Sequence, residues 1–175
     1  AYTVDDDGNP LHSWRTQLLP YLEQHALYDQ IRQEEPWDSA NNFAYSSTPM
    51  PLFKSPRDPN SDPTLTSYVV VVGADTLFSG GAALGMHDVQ DGMSGTILAI
   101  EIHNSDIAWA EPRDVLEEDL AFVSNGADPL TPNVVPQSGA VLMGDGSVLR
   151  FGPETTPEMW RAMLSHSGGE AVERP

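Results

Sequence analysis

Apolar positions along the chain fall into separated runs, and their spacing changes from helical to strand-like as the chain proceeds. Trp14, Leu18, Leu19, Leu22, Ala26, Leu27 and Ile31 recur at helical intervals, which predicts one buried face from Trp14 to about Arg32. Ser13 precedes this run as a capping residue, with Gln17 a turn further on. Pro20 interrupts it. Its missing N–H and its clash with the preceding turn predict a kink or two short helices, Trp14–Leu19 and Tyr21–Arg32.

Later runs are β-like. Thr66 to Gly73, with Tyr68-Val69-Val70-Val71-Val72 at its centre, predicts a central strand buried on both faces. Ile97 to Ile102 predicts a second strand. Ala140–Met143 and Val148–Phe151 flank Gly144-Asp145-Gly146-Ser147, and Asp-Gly between apolar runs predicts a hairpin because two-residue turns demand positive φ. Thr156 as N-cap, Pro157 and Glu158 open a last helix that runs to His166 and stops at Gly168-Gly169.

Between these elements the pattern breaks down. Ala1 to Leu11, with Asp5-Asp6-Asp7-Gly8, reads as a loop with a solvated acidic tip, and Glu34 to Pro63 as irregular chain pinned by Trp37, Phe43, Tyr45, Leu52 and Phe53. Leu116 to Phe122 suggests one or two helical turns, and Asn125 to Gln137 a loop. The resulting expectation is an α+β fold in one domain spanning 1–175. Within it, 1–65 form a helical and irregular part, 66–152 an antiparallel β-sheet region, and 156–167 a short C-terminal helix.

Composition narrows the chemistry. Fifteen Pro and 14 Gly predict abundant turns and few helices. The 26 acidic residues against 8 basic give a formal charge of −18, which disfavours nucleic acid and anionic lipid and favours cations or basic partners. With no cysteine there is no disulfide, thiolate nucleophile or Cys-based zinc site. No apolar run approaches the length of a membrane span. The abrupt start at Ala1 suggests an excised ectodomain.

Several candidate constellations can be weighed. Gly80-Gly81 with Gly85 lacks the spacing and the Lys of a phosphate-binding loop. Ser94 in Gly92-Met93-Ser94-Gly95 resembles a nucleophile elbow, but a strand follows it instead of a helix. His12 and His25 have no third metal ligand placed near them and read as ordinary surface or helix-end residues. Hard oxygen donors are the only well-supplied kind, so calcium is the most plausible ion, with Asp88, Asp91 and Asp145 as its candidate ligands; turn chemistry is the simpler explanation of each Asp-Gly. Trp37, Tyr45 and Trp109 are the candidate aromatic platform for a glycan.

Leu11-His12-Ser13-Trp14-Arg15, Leu18-Leu19-Pro20-Tyr21-Leu22-Glu23-Gln24 and Leu27-Tyr28 resemble the DUF1559 family of planctomycete-type bacteria. So do Glu35-Pro36-Trp37-Asp38-Ser39 with Asn41-Asn42, Thr66-Ser67-Tyr68, Asp91 to Glu101, Trp109-Ala110-Glu111-Pro112-Arg113-Asp114 and Gly144-Asp145-Gly146-Ser147-Val148. The phrases run in the family's order over nearly the whole chain. The family is similar to type II secretion pseudopilins, which implies a prepilin-type segment and an apolar N-terminal helix before Ala1, and a globular head outside the cytoplasmic membrane. Two positions depart from its pattern. Val135 stands where the closing motif has a His ahead of Asp145-Gly146, and Ser55-Pro56-Arg57-Asp58 replaces a Cys-Pro-Ser-Asp phrase.

The resemblance implies a non-enzymatic, pseudopilin-like structural or secretion-associated protein of the periplasm, cell surface or exterior. Its partners would be other pseudopilin-like subunits or envelope proteins, with no nucleic acid. Two alternatives are a carbohydrate-binding or carbohydrate-active module, with a glycan as partner, and a calcium- or other metal-dependent hydrolase.

Overall fold

The computed structural model describes residues 1–79, 84–122, 128 and 131–169. They form two compact units of interleaved segments, one from Ala1–Pro56, Ser61–Thr66 and Asp106–Arg113, the other from Arg57–Asn60, Ser67–Ser105 and Asp114–Pro175. The architecture is α+β, as the patterning predicts.

The first unit opens with a hairpin, where the pattern suggested only loop. Strand β1 (Tyr2–Val4) pairs antiparallel with β2 (Pro10–Ser13), matching Tyr2 to Ser13 and Val4 to Pro10. The acidic cluster is its turn. Asp5 Oδ1 accepts the Asp7 and Asn9 N–H groups, and Gly8 takes φ +86°, a conformation that glycine adopts without steric cost. The strands are too short and too mixed in polarity for alternation to reveal them.

Helix α1 (Trp14–Leu18) starts at the Ser13 cap, whose Oγ accepts the Arg15 N–H, and gives way to a 3-10 turn, Leu19–Leu22, at Pro20. Glu23 at φ 61° then breaks the axis, so helix α2 covers only His25–Tyr28 and does not continue to Arg32. The break also changes the phase of the apolar face, leaving Leu18 and Ala26 exposed while Leu19 and Ile31 are buried. Helix α3 (Phe43–Ser46) and a 3-10 turn, Pro51–Phe53, interrupt the irregular segment. These pieces enclose Leu19, Ile31, Met50, Phe53, Trp109 and Ala110. Phe53 stacks on Trp109 at 6.1 Å between ring centroids and meets Trp14 edge-on at 6.5 Å.

The second unit holds the sheet. Its strands are β3 (Tyr68–Val69), β4 (Val71–Val72), β5 (Ile97–Glu101), β6 (Val115–Leu116), β7 (Ala121–Phe122), β8 (Val134–Val135), β9 (Ala140–Met143) and β10 (Val148–Arg150). An antiparallel sheet runs in the order β10-β9-β5-β3, and two parallel pairs, β4 with β6 and β7 with β8, stand beside it. The apolar stretch from Thr66 to Gly73 is therefore not one central strand. Asp114 Oδ1 takes the Val70 N–H at 3.2 Å, so β3 closes an edge of the antiparallel sheet and β4 joins β6. Where a loop was expected between Asn125 and Gln137, Val134–Val135 form β8; residues 123–127, 129 and 130 lie outside the described set, as do 80–83 of the glycine-rich stretch.

The β9–β10 hairpin occurs as the Asp-Gly turn predicts. Val148 faces Leu142 and Arg150 faces Ala140, Gly146 sits at φ +85°, and Asp145 Oδ1 accepts both the N–H and the hydroxyl of Ser147. Leu116 to Phe122 contains one helical turn of 3-10 type, Glu117–Asp119, as suggested for it, set between strand residues. Helix α4 (Pro157–Leu164) starts at Thr156, whose hydroxyl accepts the Met159 N–H, and buries Trp160, Met163 and Leu164. Trp160 meets Phe151 at 5.0 Å and Phe122 at 5.7 Å.

Candidate functional site

Among the described residues of the second unit, charged side chains converge where β5 ends. Glu101 is the last residue of an otherwise apolar strand, paired in register with Tyr68, and only 2% of it reaches solvent. A carboxylate buried this deeply requires partners, because desolvation of an ion is costly. Its Oε2 accepts Arg57 Nη2 at 2.7 Å and the Ala140 N–H at 2.7 Å. Arg150 Nη1 stands 4.0 Å from the same oxygen, and His103 Nε2 is 3.4 Å from Oε1. Both guanidiniums also donate to one carbonyl, Ser138 O, Arg57 at 2.9 Å and Arg150 at 3.0 Å.

A second node adjoins it in sequence. Asp58 accepts the Ser67 hydroxyl at 2.8 Å and the N–H groups of Asn60 and Asn104 at 3.0 Å each, and Asn104 is in the left-handed region at φ 55°. The segment Arg57–Asn60 is thus fastened to the start of β3 and to the residues after β5. His103 fixes the next step, exchanging backbone hydrogen bonds with Val134, while its buried Nε2 makes no hydrogen bond. The arrangement holds a fixed cationic pair at the surface over a buried anion. Glu101 carries a readable signal, an acid inside an apolar run, and Arg57 and Arg150 stand out as scarce cations in an acidic chain. Their convergence depends on strand pairing, which no local pattern encodes.

The polar residues that begin the first unit are used as structural ties. His12 is buried, and its Nε2 lies 3.2 Å from Arg32 O, so that nitrogen carries the proton it donates. Burial holds its pKa below the ordinary value, partly offset by nearby carbonyls of Arg32, Glu35 and Gln33. Asn42 spans the same chain reversal, accepting the Arg32 N–H and donating to the carbonyls of Arg32, Glu35 and Pro36. Glu35 receives Asn41, Ser39 and Arg32, and these bonds, Asn41 first, hold its carboxyl below the usual range. Arg15, fully buried, donates to Ser13 Oγ and lies 4.8 Å from the centre of the Trp14 ring.

The aromatic candidates do not form an exposed platform. Trp109 has no solvent exposure, its indole N–H donates to Thr48 O at 2.9 Å, and Trp37 and Tyr45 are half-buried against the same core. Neither face of Trp109 is open to a sugar ring, because the residue is fully buried, with Phe53 stacked on it inside the unit.

Asp88, Asp91 and Asp145 are each engaged in local chain geometry. Asp88 accepts the Gly85 N–H, Asp91 clasps the Gly168 and Gly169 N–H groups at 2.8 Å each, and Asp145 caps its hairpin turn. Among the described residues no three His, Asp or Glu side chains are placed to hold a metal ion. Ser94 lies exposed in a turn before β5, without a strand-to-helix elbow. Val135 lines a small cleft with Phe122, Gln137, Phe151, Thr155 and Trp160, with room for about one water molecule.

Among the described residues, no helix is long and apolar enough to cross a membrane. Residues 1–79 match the model of a family described as a protein of unknown function, DUF1559. No curated protein and no solved structure matches the chain.

Proposed function

We propose that this chain, which belongs through residues 1–79 to the DUF1559 family, is the head of a pseudopilin-like structural or secretion-associated protein and acts without catalysis. The reading places it in the periplasm, at the cell surface or outside the cell. An apolar helix preceding the head anchors the longer protein and joins it to other pseudopilin-like subunits or envelope proteins.

One observation carries the reading. The polar side chains through which the chain resembles its family serve to lock backbone segments together: His12 and Asn42 on the Arg32 carbonyl, Asp58 on Ser67, Asp91 on Gly168 and Gly169, Asp114 on Val70. Buried polar groups satisfied in this way fix one backbone conformation. A head domain displayed at the end of a helix needs that rigidity. The aromatic residues of the glycan alternative belong to a core instead.

Protease accessibility of the native gene product in its own cells tests the location. The head is expected to be digested by proteinase K once the outer barrier is opened, while a cytosolic control protein survives. Protection until the cytoplasmic membrane is lysed would contradict the proposal.

A further inference from the structure

We propose that the cleft lined by Val135 of β8 and Trp160 of α4 is a binding site for one ordered water molecule, held by the Thr155 hydroxyl. The inference stands apart from the assembly reading and rests on a buried polar atom and on the space beside it. Thr155 is 1% exposed, and its Oγ1 makes no hydrogen bond within the protein. A hydroxyl withdrawn from solvent forfeits its hydrogen bonds unless a partner replaces them, so buried polar groups in folded chains are paired with protein or with ordered water. Here the protein supplies no such partner.

The cleft answers that need in size and in chemistry. Thr155 lines it, and the room is that of about one water molecule. Sites for small organic ligands are far larger, on the order of 300 Å³ and upward, so water is the ligand that fits. A buried water needs about two to four polar partners. The Thr155 hydroxyl can both donate to it and accept from it. Two further residues of the lining bring polar groups: Gln137 carries a carboxamide, and Gly152, having no side chain, offers its peptide. Gly152 O accepts the Thr155 N–H at 3.1 Å, and a carbonyl has a second lone pair. The walls hold the shape of the space, because Trp160 packs against Phe151 at 5.0 Å and Phe122 at 5.7 Å, and all three are buried. Thr155 immediately precedes the Thr156 cap, so a water on its hydroxyl ties the entry of α4 to the chain that follows β8.

A crystal structure of the protein at a resolution that shows ordered solvent tests the site, with Thr155→Val and Thr155→Ser solved alongside. Wild type is expected to show a single water within hydrogen-bond distance of Thr155 Oγ1. T155S keeps the hydroxyl and is expected to retain that water. T155V keeps the shape of the side chain, removes the hydroxyl and is expected to lose it. Where a variant fails to fold or crystallise, the wild-type density decides alone. A wild-type cleft with no water on Thr155 Oγ1, a larger molecule in its place, or a water that persists in T155V would overturn the proposal.

Discussion

His12 illustrates how a residue with a familiar catalytic repertoire is committed to structure. Its ring is 1% exposed and bonded to the Arg32 carbonyl, and burial lowers its pKa. The unfolded chain, with an ordinary imidazole near pH 6.5, takes up a proton that the folded chain refuses. Stability is therefore unaffected by this group at higher pH and falls as pH drops through about 6.5 toward the lower folded value. Replacing His12 by Asn is expected to cost about 1–3 kcal/mol near neutrality, the loss of a buried hydrogen bond and its packing. Urea unfolding from about pH 7.5 to 5 checks the sign, since the gap between wild type and variant should narrow as pH falls. Parallel curves would show that His12 titrates alike in both states. At this scale the sequence suggests an ordinary surface or helix-end residue at position 12, whereas His12 is buried within β2, and the aromatic candidates likewise depended on exposure. Whether Trp109 stacks on a sugar or on Phe53 is decided by tertiary packing that spacing does not reveal.

Elements with their own local chemistry were the most legible. The β9–β10 hairpin and α4 carry their signals within a few residues, Asp145-Gly146 for the turn and Thr156-Pro157 for the cap, and both occur where those residues place them. Gly146 tests how far the turn depends on its backbone. It has φ +85°, and an added Cβ meets nothing within 4 Å, so Gly146→Ala changes conformational energy without a clash. The substitution is expected to cost about 1–2 kcal/mol, the left-handed penalty for an L-residue, measured as a lower urea midpoint with an unchanged m-value. A neutral result would mean the turn relaxes to another type. Elements defined by remote partners were less legible. The valine run from Tyr68 to Val72 divides because Asp114, far away in sequence, takes the Val70 N–H. The β1–β2 hairpin was hidden by its three- and four-residue strands.

The whole molecule combines an acidic surface with two compact units whose segments interleave along the chain. That interleaving explains why a linear reading of the sequence finds no domain boundary: Asp106–Arg113 completes the first unit after much of the second has been laid down. Residues 1–79 match the DUF1559 family model, and the proposal of a displayed head rests on the use of polar residues as backbone ties. The proposed head would be synthesised behind a prepilin-type segment, and that processing is specific to the assembly account. The most direct measurement is the N-terminus of the mature native protein, by intact-mass and peptide sequencing of the membrane fraction. The account predicts a cleaved, N-methylated residue heading an apolar helix that leads into the head. An unprocessed N-terminus with no apolar helix ahead of the head would contradict it.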